Sequence, residues 1–333
     1  MDSNSKEKPL VSFCVMCYNQ ERYIGEALEG AFAQTYRPLE IVISDDASTD
    51  QSWGIITKSV AEYRRRPDAA EVVLNRNESN QGDIGNWITL CSLTKGRLLV
   101  KADGDDVSLP ERTERIVAAW VADGCRATLV SNGGFMIGPH GQRMGIMWQV
   151  RADDPAGALM TFDRATFEVF GGTDFPRIMD DGPFVYRALM LGPELVLSDR
   201  LVKYRIGTGR SNSLWRVREP MCKVRLEMFP MLEQSRKDLE KVRDRLSAEE
   251  YSTWLAHFES VRIRTENELK LFDGRSFSTR LEGYRKMRRV PLLSVWQFLK
   301  LVYLAPRPVG NCLFFLYAVV RHVVRRTKGV LGR

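Results

Sequence analysis

Apolar and polar positions fall into blocks along the first 125 residues, and the period changes from block to block. Leu10 to Met16 (LVSFCVM) is a short continuous apolar run and predicts a buried strand. From Glu21 to Gln34 the period lengthens, and Ile24, Leu28 and Ala31 share one helical face. Leu39 to Ser44 (LEIVIS) is rich in β-branched residues and predicts a second strand. Ser48, Thr49 and Asp50 then offer N-caps to a helix reaching about Arg66, and Asp50 reads as a cap. Glu71 to Leu74 predicts a third strand, the polar stretch Asn75 to Asp83 a loop, and Ile84 to Leu93 a helix. Arg97 to Ala102 (RLLVKA) predicts a fourth strand, and Pro110 opens a helix to about Ala122.

Strands alternating with helices imply an α/β domain with a mostly parallel sheet covered on both faces. In such sheets ligands bind beyond the carboxyl ends of the strands, so the residues just after each strand carry the interest. After Thr128 the pattern becomes mixed. Pro139 to Gln142 predicts a hairpin turn, Phe162 to Phe170 and Asp181 to Leu191 predict helices, and Glu194 to Arg205 a strand. Met221 to Leu271 is long, charged and helical.

Charge divides the chain unevenly. From Arg280 to Arg333 there are 12 Lys or Arg against one acid, Glu282, while the rest holds 37 basic against 41 acidic residues. The basic stretch encloses two apolar runs, 290–305 and 309–320, each shorter than the roughly 20 residues that span a bilayer. Lys300 interrupts the first, and Trp296, Tyr303 and Tyr317 suit an interface. The expectation is one or two helices lying on an anionic membrane surface, with a helical pair packed on the α/β domain as the competing reading. Nucleic acid is disfavoured as a partner, because the body is mildly acidic and shows no recognised binding module.

Six cysteines are scattered, which fits a reducing compartment. Cys14 and Cys17 are the one close pair; their odd spacing in a strand puts them on opposite faces, so core thiols are expected rather than a zinc site. The polar residues Met1 to Lys8 contain no apolar signal core. The expected location is cytoplasmic, peripheral on the inner face of the membrane.

Three strand ends carry unusual chemistry: Tyr18-Asn19-Gln20, then Asp45-Asp46-Ala47-Ser48-Thr49-Asp50, then Asp103-Gly104-Asp105-Asp106. Neighbouring carboxylates repel one another and favour a cation. Three acids within four residues at a strand end suit a hard divalent ion with oxygen ligands, Mg²⁺ or Mn²⁺. Gly104 allows the tight turn that brings the flanking carboxylates together.

In this order the residues resemble family 2 glycosyltransferases: Val11-Ser12 before Tyr18-Asn19, then Gln34-Thr35-Tyr36, Glu40 to Ile43, Asp45-Asp46-Ala47-Ser48-Thr49-Asp50, Asn80-Gln81-Gly82, Gly96 and the Asp103 to Asp106 cluster with Pro110. The resemblance is strong over residues 9–120, thinner over 121–215 and absent beyond. It implies a GT-A fold, Rossmann-like with a mostly parallel sheet, and a C-terminal helical extension. It implies an inverting enzyme that moves a sugar from a nucleotide diphosphate donor. The nucleotide site would include Tyr18, Asn19, Asp45, Asp46, Asn80 and Asp103. Tyr18 would stack on the base, and Asp46 would accept from its imide N–H, which suits UDP or dTDP. Asp103 would contact the ribose, and Asp105, with Asp103, the metal.

An inverting displacement also needs a base for the acceptor hydroxyl. The resemblance places it in the acidic pair after Gly171-Gly172, with Arg187 six residues on; the base is Asp181, with Asp180 as the alternative. Where relatives often carry a metal-binding His in a Tyr-Arg-x-His segment, this chain has Gly207 after Tyr204-Arg205-Ile206. Arg205 or Arg210 is expected to contact phosphate instead. The acceptor implied is a saccharide or a lipid-linked saccharide, in surface polysaccharide synthesis. Two other readings stand beside this one. A sugar nucleotidyltransferase needs a Gly-rich loop after the first strand, where this chain has Cys17 to Gln20. A non-catalytic nucleotide- or lipid-binding scaffold would not turn over a donor. The expected division is a glycosyltransferase domain over 1–215, a charged helical region over 216–279 and a basic tail over 280–333.

Overall fold

The structure is a computed structural model and describes residues 8–146, 156–174, 181–206 and 218–273. Two compact units meet in sequence at Arg205 and Ile206.

The first unit is built on one sheet. Its leading strands are β1 (Val11–Cys17), β2 (Leu39–Asp45), β3 (Glu71–Arg76) and β4 (Leu98–Asp103). They run parallel in the order β3-β2-β1-β4, so β1 has a neighbour on each side. The chain fills one flank before crossing to the other, and the switch lies between β1 and β4, where open α/β sheets bind ligands. Register brings the strand ends level: Cys17 sits opposite Asp45, and Met16 opposite Asp103.

Period-2 alternation then sorts the side chains. Val11, Phe13, Val15 and Cys17 of β1, Ile41 and Ile43 of β2, and Leu98, Val100 and Ala102 of β4 all enter one apolar core. Into it pack α1 (Ile24–Phe32), α2 (Ser52–Tyr63) and, through Ile116, Val117 and Trp120, the helix Arg112–Ala122. Phe32 and Tyr63 stack at 4.1 Å where α1 meets α2. Cys14 belongs to the other face, as its odd offset from Cys17 predicts; both thiols are buried and free. That face is covered by α3 (Gly82–Ser92), whose Trp87 meets Phe162 and Phe184 in an edge-on aromatic cluster.

Beyond β4 the sheet becomes mixed. It continues through β5 (Val107–Ser108), α4 (Arg112–Ala122), β6 (Leu129–Ile137), β7 (Arg143–Ile146), β8 (Met160–Asp163), α5 (Ala165–Phe170), α6 (Asp181–Leu191) and β9 (Glu194–Arg205). Here β6 and β9 are parallel and the other pairs antiparallel. The order from β4 is β8-β6-β9-β5, and β7 pairs β6 across the expected turn at Pro139 to Gln142. Two expectations change here. Phe162 lies in β8 rather than in a helix, because Leu99 and Leu129 flank it as antiparallel sheet partners. Helix α1 starts at Ile24 rather than Glu21, because the Glu21 backbone N–H and carboxylate are bonded to the loop after β2.

The second unit contains two helices among the described residues, α7 (Arg218–Lys241) and α8 (Ala248–Asp273), joined through a short 3₁₀ turn. The charged stretch is helical, as expected, and forms a hairpin. Tyr251 and Glu240 bond across it, and Arg236 pairs with Glu259 at 3.1 Å. No described helix is long and apolar enough to cross a membrane. The expected interfacial helices, 290–305 and 309–320, lie outside the described residues.

Candidate active site at the strand ends

Loops after β1 and β2 are knitted together before any ligand arrives. Asn19 adopts a left-handed conformation at φ 51°, which Asn tolerates. Its side-chain oxygen accepts the Thr49 N–H at 2.8 Å, and its own N–H donates to Ser48 Oγ at 2.9 Å. Gln20 N–H donates to Ser52 Oγ at 2.8 Å. Asp50 accepts from Ser52 N–H at 2.9 Å in the first turn of α2 and from Glu21 N–H at 3.0 Å. It stands one residue before the N-cap Gln51 rather than at that position, and it cross-links the two loops. Tyr18 stands clear of this mesh with 46% of its surface exposed.

The two acids after β2 do different things. Asp45 is fully buried and holds its own turn: its carboxylate accepts from Ser48 N–H at 3.0 Å and Ser48 Oγ at 2.5 Å, with Arg76 Nε at 3.4 Å. Asp46 reaches the start of α3. Its Oδ1 accepts from Asn77 Nδ2 at 2.7 Å and Gln81 N–H at 2.8 Å, and its Oδ2 from Gly82 N–H at 2.9 Å. A carboxylate on the first amides of a helix complements its dipole. Asn77 and the buried Asn86 link Asp46 onward to Ser44, so the carboxylate is fixed from behind by side-chain amides. Asn80 is exposed beside this contact.

At the end of β4, Asp106 N–H closes a turn onto Asp103 C=O at 3.1 Å. A Cβ on Gly104 would lie 2.9 Å from the Met16 carbonyl oxygen and 2.2 Å from Gln20 Oε1, so the turn needs glycine. Asp103 and Asp105 are partly exposed, whereas Asp106 is buried. Burial pushes the Asp106 carboxyl well above its usual range, and the charges of Asp105 and Asp103 add to this. Asp106 accepts the Arg205 N–H at 2.6 Å. Lys101, buried in β4, donates to Asp103 Oδ1 at 2.8 Å. Arg112 is also fully buried nearby, and burial pulls its guanidinium down to about 9 against the pull of Asp106 and Asp103.

The sequence suggests Arg205 for phosphate, and its surroundings give it other work. Its side chain is buried; Nε donates to Asp105 C=O at 2.8 Å, Nη1 to Gly138 C=O at 3.2 Å, and Nη2 to Glu26 at 2.8 Å. Its guanidinium also lies 4.6 Å from the Tyr23 ring centre. Arg205 therefore fastens the Asp103–Asp106 turn to α1 and β6. Arg210, the alternative, and Asp180 lie outside the described residues; Asp181 is the first residue of α6. Arg187, six residues further on, is buried and donates to the carbonyls of Gly171 at 2.9 Å and Gly172 at 2.8 Å. The Gly-Gly pair and α6, related in sequence only by spacing, are thus joined through one guanidinium.

Three features escape the sequence reading. The amide clamp on Asp46 comes from Gln81 and Gly82, which the family pattern names without a role. The Arg205 anchor depends on a strand that pairs with neither β1 nor β2. Lys101 did leave a signal: it interrupts the apolar run Leu98 to Ala102, two residues before Asp103 and so on the same face.

Asp103 and Asp105 offer oxygen donors, and the described residues gather no group of three or more His, Cys, Asp or Glu able to hold a metal. Two carboxylates still fit Mg²⁺ or Mn²⁺, which commonly take one or two from the protein and the rest from substrate phosphates and water.

Residues 12–174 match the family described as Glycosyl transferase family 2. The chain is 34% identical over 110 residues to the putative glycosyltransferase EpsE of Bacillus subtilis (strain 168), covering 33% of this chain and 38% of that protein. It is 34% identical over 97 residues to the Escherichia coli UDP-Glc:alpha-D-GlcNAc-diphosphoundecaprenol beta-1,3-glucosyltransferase WfaP, covering 29% of this chain and 36% of that one. The matches thus span less than two fifths of either relative. Among solved structures, the mannosyltransferase PcManGT from Pyrobaculum calidifontis, in complex with GDP-Man and Mn²⁺, superposes with a TM-score of 0.58 at 18% identity, over 96% of this chain and 88% of that one. That likeness establishes the fold, which is GT-A. Residues 12–174 of this chain belong to glycosyl transferase family 2.

Proposed function

We propose that the protein is an inverting glycosyltransferase that moves a sugar from a nucleotide diphosphate donor to a hydroxyl of a saccharide or lipid-linked saccharide. One observation carries the reading: β1, β2 and β4 end side by side and present exposed Tyr18, clamped Asp46 and the Asp103–Asp105 pair at the switch point of the sheet. Tyr18 offers a ring face to a base. Asp46 Oδ2 accepts one N–H and has capacity for another, which suits the single imide donor of uracil or thymine. Asp103 faces the ribose, and Asp105 with Asp103 would hold Mg²⁺ or Mn²⁺. A divalent cation there supplies neutralisation of the charge that builds on the departing diphosphate.

Asp181, or Asp180 beside it, takes the proton of the acceptor hydroxyl. The acceptor oxygen then bonds to the anomeric carbon as the bond to the diphosphate oxygen breaks, and one displacement inverts the centre. The Arg187 grip on Gly171 and Gly172 supports this role by fixing the helix that Asp181 opens. The UDP-Glc donor and diphosphoundecaprenol acceptor in WfaP's name support a UDP-sugar and a lipid-linked acceptor in surface polysaccharide synthesis, and the basic tail supports attachment to the cytoplasmic membrane face.

Calorimetric titration with UDP, dTDP and GDP, with and without Mn²⁺, tests the donor site. UDP or dTDP binding that needs Mn²⁺ and disappears in Asp105→Ala is expected. Absence of nucleotide binding both with and without Mn²⁺ sinks the assignment. Binding without any donor turnover points to the scaffold reading.

A further inference from the structure

Lys101 is a charged residue on a buried face of β4. Leu99, its neighbour on the same face of β4, is 1% exposed, and the cover over that face is α3 with Trp87 and Cys91. A lysine there strips its ammonium of water, which is unfavourable unless a carboxylate compensates. The Lys101 side chain is 4% exposed; its ammonium lies 2.8 Å from Asp103 Oδ1 and 5.9 Å from the Trp87 ring centre. Period-2 geometry makes this contact intrinsic to the strand, because residues 101 and 103 project from the same side. Asp103, by contrast, keeps 34% of its side chain exposed. One carboxylate oxygen is therefore held from the core while the group still opens toward the site.

We propose that Lys101 is a built-in counter-cation: by occupying one oxygen of Asp103 it weakens the strand end for a free metal ion and makes metal binding depend on the diphosphate. This rests on the donor-site reading above. With Lys101 in place, the strand end carries a fixed positive charge within a few ångströms of the position a divalent ion would take. Arg112 adds a second buried positive charge whose field reaches Asp106 and Asp103. Two carboxylates opposed by such charges bind a free divalent ion poorly. A nucleoside diphosphate brings its own negative charge and oxygen ligands, and the balance reverses. Metal and nucleotide then bind as a pair, and the empty site does not sequester the ion. Lys101 is a positioning residue in this scheme and touches no substrate.

The test is manganese binding itself, read by calorimetry and by the electron paramagnetic resonance signal of free Mn²⁺. Wild type, Lys101→Met and Lys101→Gln are compared, each with Mn²⁺ alone and with Mn²⁺ plus UDP. Methionine fills the space without charge, and glutamine keeps a donor for Asp103 without charge. Without nucleotide, both variants are expected to bind Mn²⁺ about tenfold or more tightly than wild type. The enhancement of Mn²⁺ affinity by UDP should shrink by a similar factor. Variants that fold, judged by near-ultraviolet dichroism, and bind free Mn²⁺ no more tightly than wild type overturn the proposal. Failure of both variants to fold is the behaviour of a purely structural lysine and also overturns it. If wild type binds no Mn²⁺ even with UDP, dTDP or GDP present, the donor-site reading fails first, and this inference falls with it.

Discussion

At the end of β2, Asp45 and Asp46 are 0% and 2% exposed and accept hydrogen bonds from Ser48, Asn77, Gln81 and Gly82. At the end of β4, Asp103 and Asp105 remain partly exposed, and only Asp106 turns fully inward. Both segments are short runs of aspartate after an apolar strand, and composition alone does not separate them. What separates them is the supply of backbone donors. The loop after β2 wraps back so that free N–H groups at helix and turn starts point at the carboxylates. The Asp103–Asp106 turn is closed by its own backbone, Asp106 takes one backbone N–H from Arg205, and the stabilising charges come from the side chains of Lys101 and Arg112. The first region spends its acids mainly on architecture. The second leaves two partly exposed.

The sharpest way to break this contrast is to remove one acid from each region and measure activity and stability together. Asp105→Ala is expected to cut donor turnover by about 10²–10³-fold, comparable to losing one strong electrostatic contact in a transition state. Its urea midpoint should shift little, by an amount worth about 1 kcal/mol or less, because the side chain is partly exposed. Asp45→Ala should do the reverse. It strands the Ser48 N–H and hydroxyl in a buried turn, and a stability loss of about 2–3 kcal/mol is expected from urea unfolding. Equal stability losses in the two variants would erase the distinction drawn here.

Gly104→Ala probes how tightly the second region is built. The new methyl would sit 2.9 Å from the Met16 carbonyl and 3.0 Å from Ile24 Cδ1. The Gln20 side chain can swing away, but the strand backbone cannot, so a loss of about 1–2 kcal/mol is expected in thermal or urea unfolding. Mn²⁺-dependent nucleotide binding should weaken in parallel, because the turn that spaces Asp103 and Asp105 must widen. A fully stable variant with unaltered binding would show that the turn has slack.

The same contrast explains what could be read in advance. Strands β1 to β4 and their helices announce themselves by period, because each buries apolar residues against near neighbours in sequence. The acids at the ends of β2 and β4 follow from the rule that α/β sheets bind ligands there. Phe162 misleads for the opposite reason: its strand is defined by Leu99 and Leu129, residues distant in the chain, and a local pattern carries no trace of them. Arg205 misleads similarly. An arginine near a phosphate site suggests phosphate, yet Glu26, Gly138 and the Asp105 carbonyl, from three separate segments, have already claimed it. Long-range partners of charged side chains are the part of a site that local pattern leaves open.

The smallest expected effect sharpens the account of Asp45. Arg76 approaches that carboxylate at 3.4 Å, donates to the Ser48 carbonyl at 2.9 Å and lies over Trp53 at 5.6 Å, but its side chain is 45% exposed. An ion pair open to water is worth little, so Arg76→Ala should lower stability by only about 0.5 kcal/mol, less still in high salt. The comparison with Asp45→Ala is the informative one. If both variants lose the same amount, neutralisation by Arg76 is what makes the buried carboxylate tolerable. If Arg76→Ala is nearly silent, as expected, the burial of Asp45 rests on the N–H and hydroxyl of Ser48. The end of β2 is then stabilised by short-range hydrogen bonds that salt does not screen, whereas the end of β4 depends on buried positive charge.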